Sequence, residues 1–153
     1  NTVAVCNKLI EQWGKHQGRV LCYGDATGGS RGTAKLNGSD WELIERTLGA
    51  HFGAARLLMK NERANPSERS RVNAVNTRLL NGADEVYMMV DASAAPYTVK
   101  DFDGVSLLKG GSGEIDKKAT PELTHLSDGI GYYIAAKFPI ATDRATQATI
   151  IGL

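Results

Sequence analysis

The sequence predicts an α/β fold in which helices cover a sheet, and three observations carry that expectation. Apolar runs of strand length alternate with stretches whose apolar residues recur every three or four positions. One such run ends in an acid and falls into glycines, RVLCYGDATGGSRG over 19–32, as a buried strand does when it delivers a carboxylate to a sheet edge. The chain has 153 residues, 42% of them apolar and 23% charged, enough for a sizeable globular core.

In chain order, Val3, Cys6, Leu9, Ile10 and Trp13 form one apolar stripe and predict a helix over 2–16, stopped by Gly18. The run over 19–25 predicts a strand buried on both faces. A loop rich in glycine follows over 24–38; it is either a ligand-approaching flap or a plain flexible connection. Ser39 and Glu42 have capping-box spacing and open a helix whose inner face is Trp41, Ile44, Leu48 and Phe52. A strand is expected over 54–60. Asn65, Pro66 and Glu68 then start a helix with Val72, Val75, Leu79 and Leu80 inward and Glu68, Arg69, Arg71, Asn73 and Arg78 outward. Asn81-Gly82 ends it, and EVYMMVD over 85–91 reads as a strand. A short helix over 96–102, an edge strand over 104–109 and a polar loop over 110–118 come next. Thr120-Pro121 begins a last helix reaching Lys137, with Leu123, Leu126, Ile130, Tyr133 and Ile134 toward the core. Residues 1–140 are read as one domain and 141–153 as a tail or docking segment.

Charge and motifs exclude several functions. Lys plus Arg is 18 and Asp plus Glu is 17, so no basic excess announces a nucleic-acid binder, although a basic groove opposite an acidic face stays possible. Cys6 and Cys22 fall on apolar faces and read as buried thiols of a reducing compartment; no zinc spacing is present. No apolar run reaches the ~20 residues of a membrane span, and no secretory leader is recognisable, which points to the cytoplasm. The glycine loop lacks the Walker pattern, and no nucleophile elbow occurs.

Two acids stand out. Asp25 ends the first strand; it is either a ligand or a carboxylate that shapes the turn. Asp128 lies near the start of the last helix with His125 three residues before it on the same face. Carboxylates converging from a strand end and a helix suit Mg²⁺ or Mn²⁺, which prefer hard oxygen ligands. Two such ions about 3.5–4 Å apart serve phosphodiester hydrolysis. A pair of ions normally needs three or four carboxylates, and only two are evident. Asp91 reads as a capping or turn residue. Asp116 either faces the site or closes a turn. Arg69, Arg71, Arg78, Lys109, Lys117 and Lys118 are able to meet phosphates, and solvated faces explain them equally well.

The pieces VLCYGDATGGSRGT, SDWELIERTLG, NPSERSRVNAVNTRLLNGADEVYMMVD and EIDKKATPELTHLSDGIGYYIAAKFP, in this order, resemble the C-terminal nuclease domain of phage terminase large subunits. The resemblance runs from about Val3 to Pro139, and NP-x₄-RVNAVN with DKK…TH-x-SD-x-x-GY makes it specific. It implies an RNase H-like (RuvC-type) layered sheet with helices on both faces. It also implies a Mg²⁺- or Mn²⁺-dependent endonuclease cutting concatemeric double-stranded DNA in the host cytoplasm, or the bacterial cytoplasm if prophage-encoded. Asp25 and Asp128 match two of the family's three acidic clusters as catalytic metal ligands. His125 and Asp116 would support them, and Arg71, Lys117 and Lys118 would meet DNA. The implied partners are a terminase ATPase domain, a small subunit and a portal. The family's first catalytic aspartate lies on a strand before the helix matched by 2–16. The expectation is therefore a chain truncated at its N-terminus, with an exposed sheet edge that invites homo-oligomers. Two alternatives accompany it. Asp25 can be assigned as the first-strand aspartate with Asp91 as the second. The chain can also be a catalytically incomplete remnant or another RNase H-like enzyme such as a junction resolvase.

Overall fold

A computed structural model describes residues 1–29, 38–111, 113–120 and 122–140. Among them are five α-helices and a two-stranded parallel sheet, a mixed α/β composition. The chain divides into two compact units, Asn1–Asn65 and Pro66–Leu153. The expected tail over 141–153, Gly32 of the glycine loop and Pro121 lie outside the described residues.

In the first unit the order is α1 (Thr2–Trp13), β1 (Val20–Cys22), a 3₁₀ turn (Ala26–Gly29), α2 (Asp40–Phe52) and β2 (Leu57–Met59). The strands are parallel, with Val20 opposite Leu57, Leu21 opposite Leu58 and Cys22 opposite Met59, so α2 is the crossover of a β-α-β unit. Cys6, Leu48, Phe52 and Leu57 are buried together, with Leu9, Ile10, Val20, Cys22, Ile44 and Met59 packed around them. The capping box at α2 forms as its spacing predicts: Glu42 N donates to Ser39 Oγ (3.2 Å) and Ser39 N to Glu42 Oε2 (2.8 Å). Two expectations are corrected. Leu21 is 47% exposed, so β1 is not buried on both faces; an apolar run alone does not say how many layers cover it. Trp13, at the last turn of α1, is 65% exposed and does not join the packed cluster that takes Cys6, Leu9 and Ile10.

The second unit contains α3 (Glu68–Leu79), α4 (Pro96–Gly104) and α5 (His125–Lys137). Its buried core is Ala74, Val75 and Ile134, with Leu79, Met88, Phe102, Ile130, Ala135 and Ile140 against it. Helices α3 and α5 approach closely at Gly131, where an added Cβ would stand 3.2 Å from Arg71 Cβ. The expected strand over 85–91 does not form. The amides of Tyr87 and Met88 both donate to the Arg78 carbonyl (2.9 and 2.8 Å), and Met89 is 87% exposed. Strand propensity needs a neighbouring strand, and no described residue supplies one there. The expected edge strand over 104–109 reduces to one antiparallel bridge, Leu107 to Ile115, with Gly104 ending α4 instead. The last helix begins at His125, not Thr120, and Leu126 and Tyr133 are exposed. Helix α3 is capped by Ser67, which accepts from Ser70 N (3.1 Å), not by Asn65.

The start of α5 is held by a buried acid from another helix. Asp101 of α4 is 3% exposed, and its Oδ2 accepts from Leu126 N (2.9 Å). The N-cap residue Thr124 has φ +85° and no side-chain capping bond, so the α4 carboxylate does the work a cap would do. Asp101→Ala is expected to destabilise the second unit by about 1–2 kcal/mol, as loss of a capping acceptor does. Chemical denaturation monitored by circular dichroism measures it, and a change below about 0.5 kcal/mol would refute the capping role.

Candidate functional site

Asp25 and Asp128 belong to different units, and each has its own set of partners. At the end of β1, Asp25 Oδ1 accepts from Thr27 N (2.7 Å) and from Asn65 Nδ2 (2.7 Å). Asn65 Oδ1 in turn accepts from Ala26 N (2.8 Å). Asn65, expected to cap α3, thus braces the turn that carries Asp25. The Asp25 carbonyl accepts from Trp41 Nε1 (2.9 Å), which lays the indole against the glycine turn. A Cβ on Gly28 would stand 2.9 Å from Trp41 Nε1, so that glycine is required by a close approach. Asp25 is half-buried, and these bonds shape the turn that follows β1.

Asp128 sits in the first turn of α5 and is the centre of an ion-pair cluster. Its Oδ1 accepts from Arg71 Nη2 (2.8 Å) and its Oδ2 from Lys117 Nζ (3.0 Å). Lys117 Nζ also lies 2.9 Å from Glu68 Oε2, and Glu68 Oε1 accepts from the Ile115 amide. Arg71 is only 6% exposed; besides Asp128 it donates to the Pro66 carbonyl (2.9 Å) and lies over the Tyr132 ring, 4.3 Å from its centroid. The expectation that Arg71 belongs to the outer face of α3 is therefore corrected. A helix turned inward by Ala74 and Val75 carries Arg71, one turn earlier, toward α5, where Asp128 receives it. A cavity of about 140 Å³ adjoins the pair, walled by Val72, Val75, Phe102, Val105 and Ile115.

Burial pushes the Asp128 carboxyl up, but the hydrogen bonds and charges of Arg71 and Lys117 outweigh it and hold the group below the ordinary carboxylate range. Lys117 is pushed up, chiefly by its hydrogen bond to Glu68. In the first unit, burial raises both thiols, Cys6 and Cys22, which makes them poor nucleophiles.

The other expected site residues are placed as follows. Asp116 Oδ1 accepts from Lys118 N (3.1 Å) and Ala119 N (3.2 Å), so it closes a turn. Asp91 Oδ1 accepts from Ser93 N (2.8 Å) and Ala94 N (3.2 Å), the turn role expected of it. His125 is the exposed first residue of α5, and Lys118 is exposed. Glu68 was missed as a site residue. Its sequence position marks a helix-start role, three residues after the expected cap Asn65 and on the outer face, and only the tertiary contact to Lys117 reveals more.

The donor set fits poorly with a resident divalent ion. Both oxygens of Asp128 carry a cationic partner, and Glu68, Asp128, Arg71 and Lys117 sum to zero charge. Among the described residues no group of three or more His, Cys, Asp or Glu side chains converges as a metal site.

Asp128→Asn leaves Arg71 buried without its counter-charge, at an expected cost of about 2–3 kcal/mol at pH 7, the lower side because Asp128 is 24% exposed. The pH dependence follows from the lowered carboxyl. Its stabilisation is complete above the ordinary carboxylate pKa and is lost as pH falls through the depressed folded value. The stability gap between wild type and Asp128→Asn should therefore persist from pH 7 to about 5 and close only in stronger acid. A gap that closes by pH 6 in urea melts would refute the ion-pair account.

Comparison of the chain with protein-family models, with curated proteins and with solved structures found no match.

Proposed function

We propose that the chain is a terminase-type nuclease segment with an RNase H-like relationship, acting on double-stranded DNA in the cytoplasm of a bacterial host. One observation supports this above others. The motifs that carry the resemblance lie far apart in sequence yet meet at one point: Arg71 of RVNAVN, Lys117 of DKK and Asp128 of TH-x-SD-x-x-GY join in a single cluster. Independent surface pairs would not be expected to select the residues of three separate motifs. The half-exposed Lys117 and exposed Lys118 lie beside it and suit phosphate contacts, whereas Arg71 is occupied by its buried partners. Mg²⁺ or Mn²⁺ belongs to this reading through the resemblance, not through the described donors. The same holds for the ATPase domain, small subunit and portal as partners, and for self-association through a sheet edge. No described helix is long and apolar enough to cross a membrane.

A second reading, a catalytically incomplete relative that keeps the fold and a DNA surface, is favoured by the two cations on Asp128. A plasmid-nicking assay with Mn²⁺ separates them. On the nuclease reading, wild type nicks and Asp25→Asn and Asp128→Asn each lose at least about 100-fold, the loss expected for a group that acts on the transition state. On the second reading no variant nicks at any Mn²⁺ concentration, while DNA binding survives and weakens with added salt. Nicking that Asp25→Asn and Asp128→Asn leave intact would overturn the site assignment.

A further inference from the structure

We infer that the cavity between α3, α4 and α5 is a binding site for a small neutral ring, a single six-membered aromatic carrying at most one uncharged polar group. This goes beyond the nuclease reading and does not rest on it, because the ligand is neither a metal ion nor DNA. Size sets the first limit. The cavity measures about 140 Å³. A cavity of about 150 Å³ with aliphatic and aromatic walls takes one benzene ring. A fused two-ring ligand would have to displace a wall. The walls set the second limit. Val72 and Val75 of α3, Phe102 of α4, Val105 and Ile115 make them apolar. Val75 and Ile115 are 5% and 7% exposed and form the inner end, whereas Leu107 at 50% and the exposed Asn76 stand toward solvent. A ligand therefore has a way in that needs no unfolding.

Charge sets the third limit. Arg71 and Asp128 also line the cavity, but they answer each other at 2.8 Å, and Lys117 meets the second Asp128 oxygen at 3.0 Å. A charged ligand would leave water for walls whose charges already face each other, a desolvation cost that nothing there offsets. A neutral ring gives up little hydration and gains the apolar walls. One polar substituent can be accommodated, because Ser127 and Asn76 belong to the same lining. Ser127 Oγ donates to the Thr124 carbonyl (3.1 Å) and retains acceptor lone pairs, and an asparagine amide both donates and accepts. The fitting class is thus a phenol-like or benzamide-like ring, not its anionic or cationic counterpart.

The test uses the full chain and para-fluorophenol, read by fluorine NMR. The wild-type chain should bind the probe saturably, with a Kd of about 1 mM or below, a range open to a well-buried ring. Nuclear Overhauser effects from the probe to the Phe102 ring and the Ile115 methyls should locate it. Val72→Phe and Val105→Phe, which fill the cavity from two different elements, should each weaken binding at least ten-fold. Benzoate and benzylammonium, the same ring with a charge of either sign, should compete at least ten-fold more weakly than phenol. Absence of saturable binding overturns the inference, and so do Overhauser contacts elsewhere, binding that both filling variants leave intact, or equal competition by the charged rings. If the filling variants unfold, the wild-type Overhauser contacts and the charged competitors decide. The assay contains neither metal nor DNA, so a failure here leaves the nuclease reading standing, and a failure to nick leaves this inference standing.

Discussion

The second unit depends on the ion pair between Arg71 and Asp128. Taking an arginine to 6% exposure is costly unless its charge is answered, and the answer comes from one carboxylate at 2.8 Å, one carbonyl and one aromatic face. Those partners fix how α3 and α5 meet. Gly131 lets the helix backbone pass close to the Arg71 stem, and Ala74, Val75 and Ile134 close the apolar surface on the same side. With few large buried side chains available, the polar contact contributes specificity that the small core cannot supply alone. Its Nε has no hydrogen-bond partner among the described residues, so the arginine is held at some cost, the mark of a residue fixed by more than packing convenience.

The same constraint explains how Asp128 behaves. A first-turn acid gains from the helix dipole; here burial is the largest single influence and works against ionisation, and two side-chain cations together outweigh it. An ionised carboxylate that is already answered twice is a stable structural element and a reluctant ligand. Asp25 is held in another way. There the described partners include an amide and the Asn65 side chain, which shape a turn. The two acids that look equivalent in sequence therefore have different described surroundings: Asp25 takes part in a turn with Thr27 and Asn65, and Asp128 meets Arg71 and Lys117.

How far the sequence could be read follows from whether the relevant force was local. The capping box of α2 depends on residues three apart, and it forms as expected at Ser39 and Glu42. Asp91 closes its turn through amides two and three residues on, again a local matter. Failures occur where a distant group decides. Arg71 reads as solvated until Asp128, 57 residues later, is seen to receive it. Asn65 looks like a cap because a proline follows it, but Asp25, 40 residues earlier, claims its side chain. EVYMMVD has strand composition without a strand partner, so its amides turn to the Arg78 carbonyl. Glu68 was hidden because a helix-start explanation already sufficed. The RNase H-like architecture is a statement about strand order, and two paired strands do not contain that order.

The cluster also accounts for why one lysine, and not its neighbour, joins it. Lys117 and Lys118 are adjacent and chemically identical, and Asp116 fixes the turn that separates them by accepting from the amides of Lys118 and Ala119. That turn commits the Lys117 ammonium to Glu68 and Asp128, while Lys118 stays exposed. Asp116 thus acts on the cluster through the backbone, without spending its own charge there. An acid placed to set the loop, two acids placed to share an ammonium, and a buried arginine placed to hold one of them form a hierarchy in which exposure rises from the arginine through the acids to the lysine. Within the cluster Lys117 is the side chain that solvent reaches most, at 47% against 24% for Asp128 and 20% for Glu68, so a charged ligand approaching the cluster meets that ammonium first.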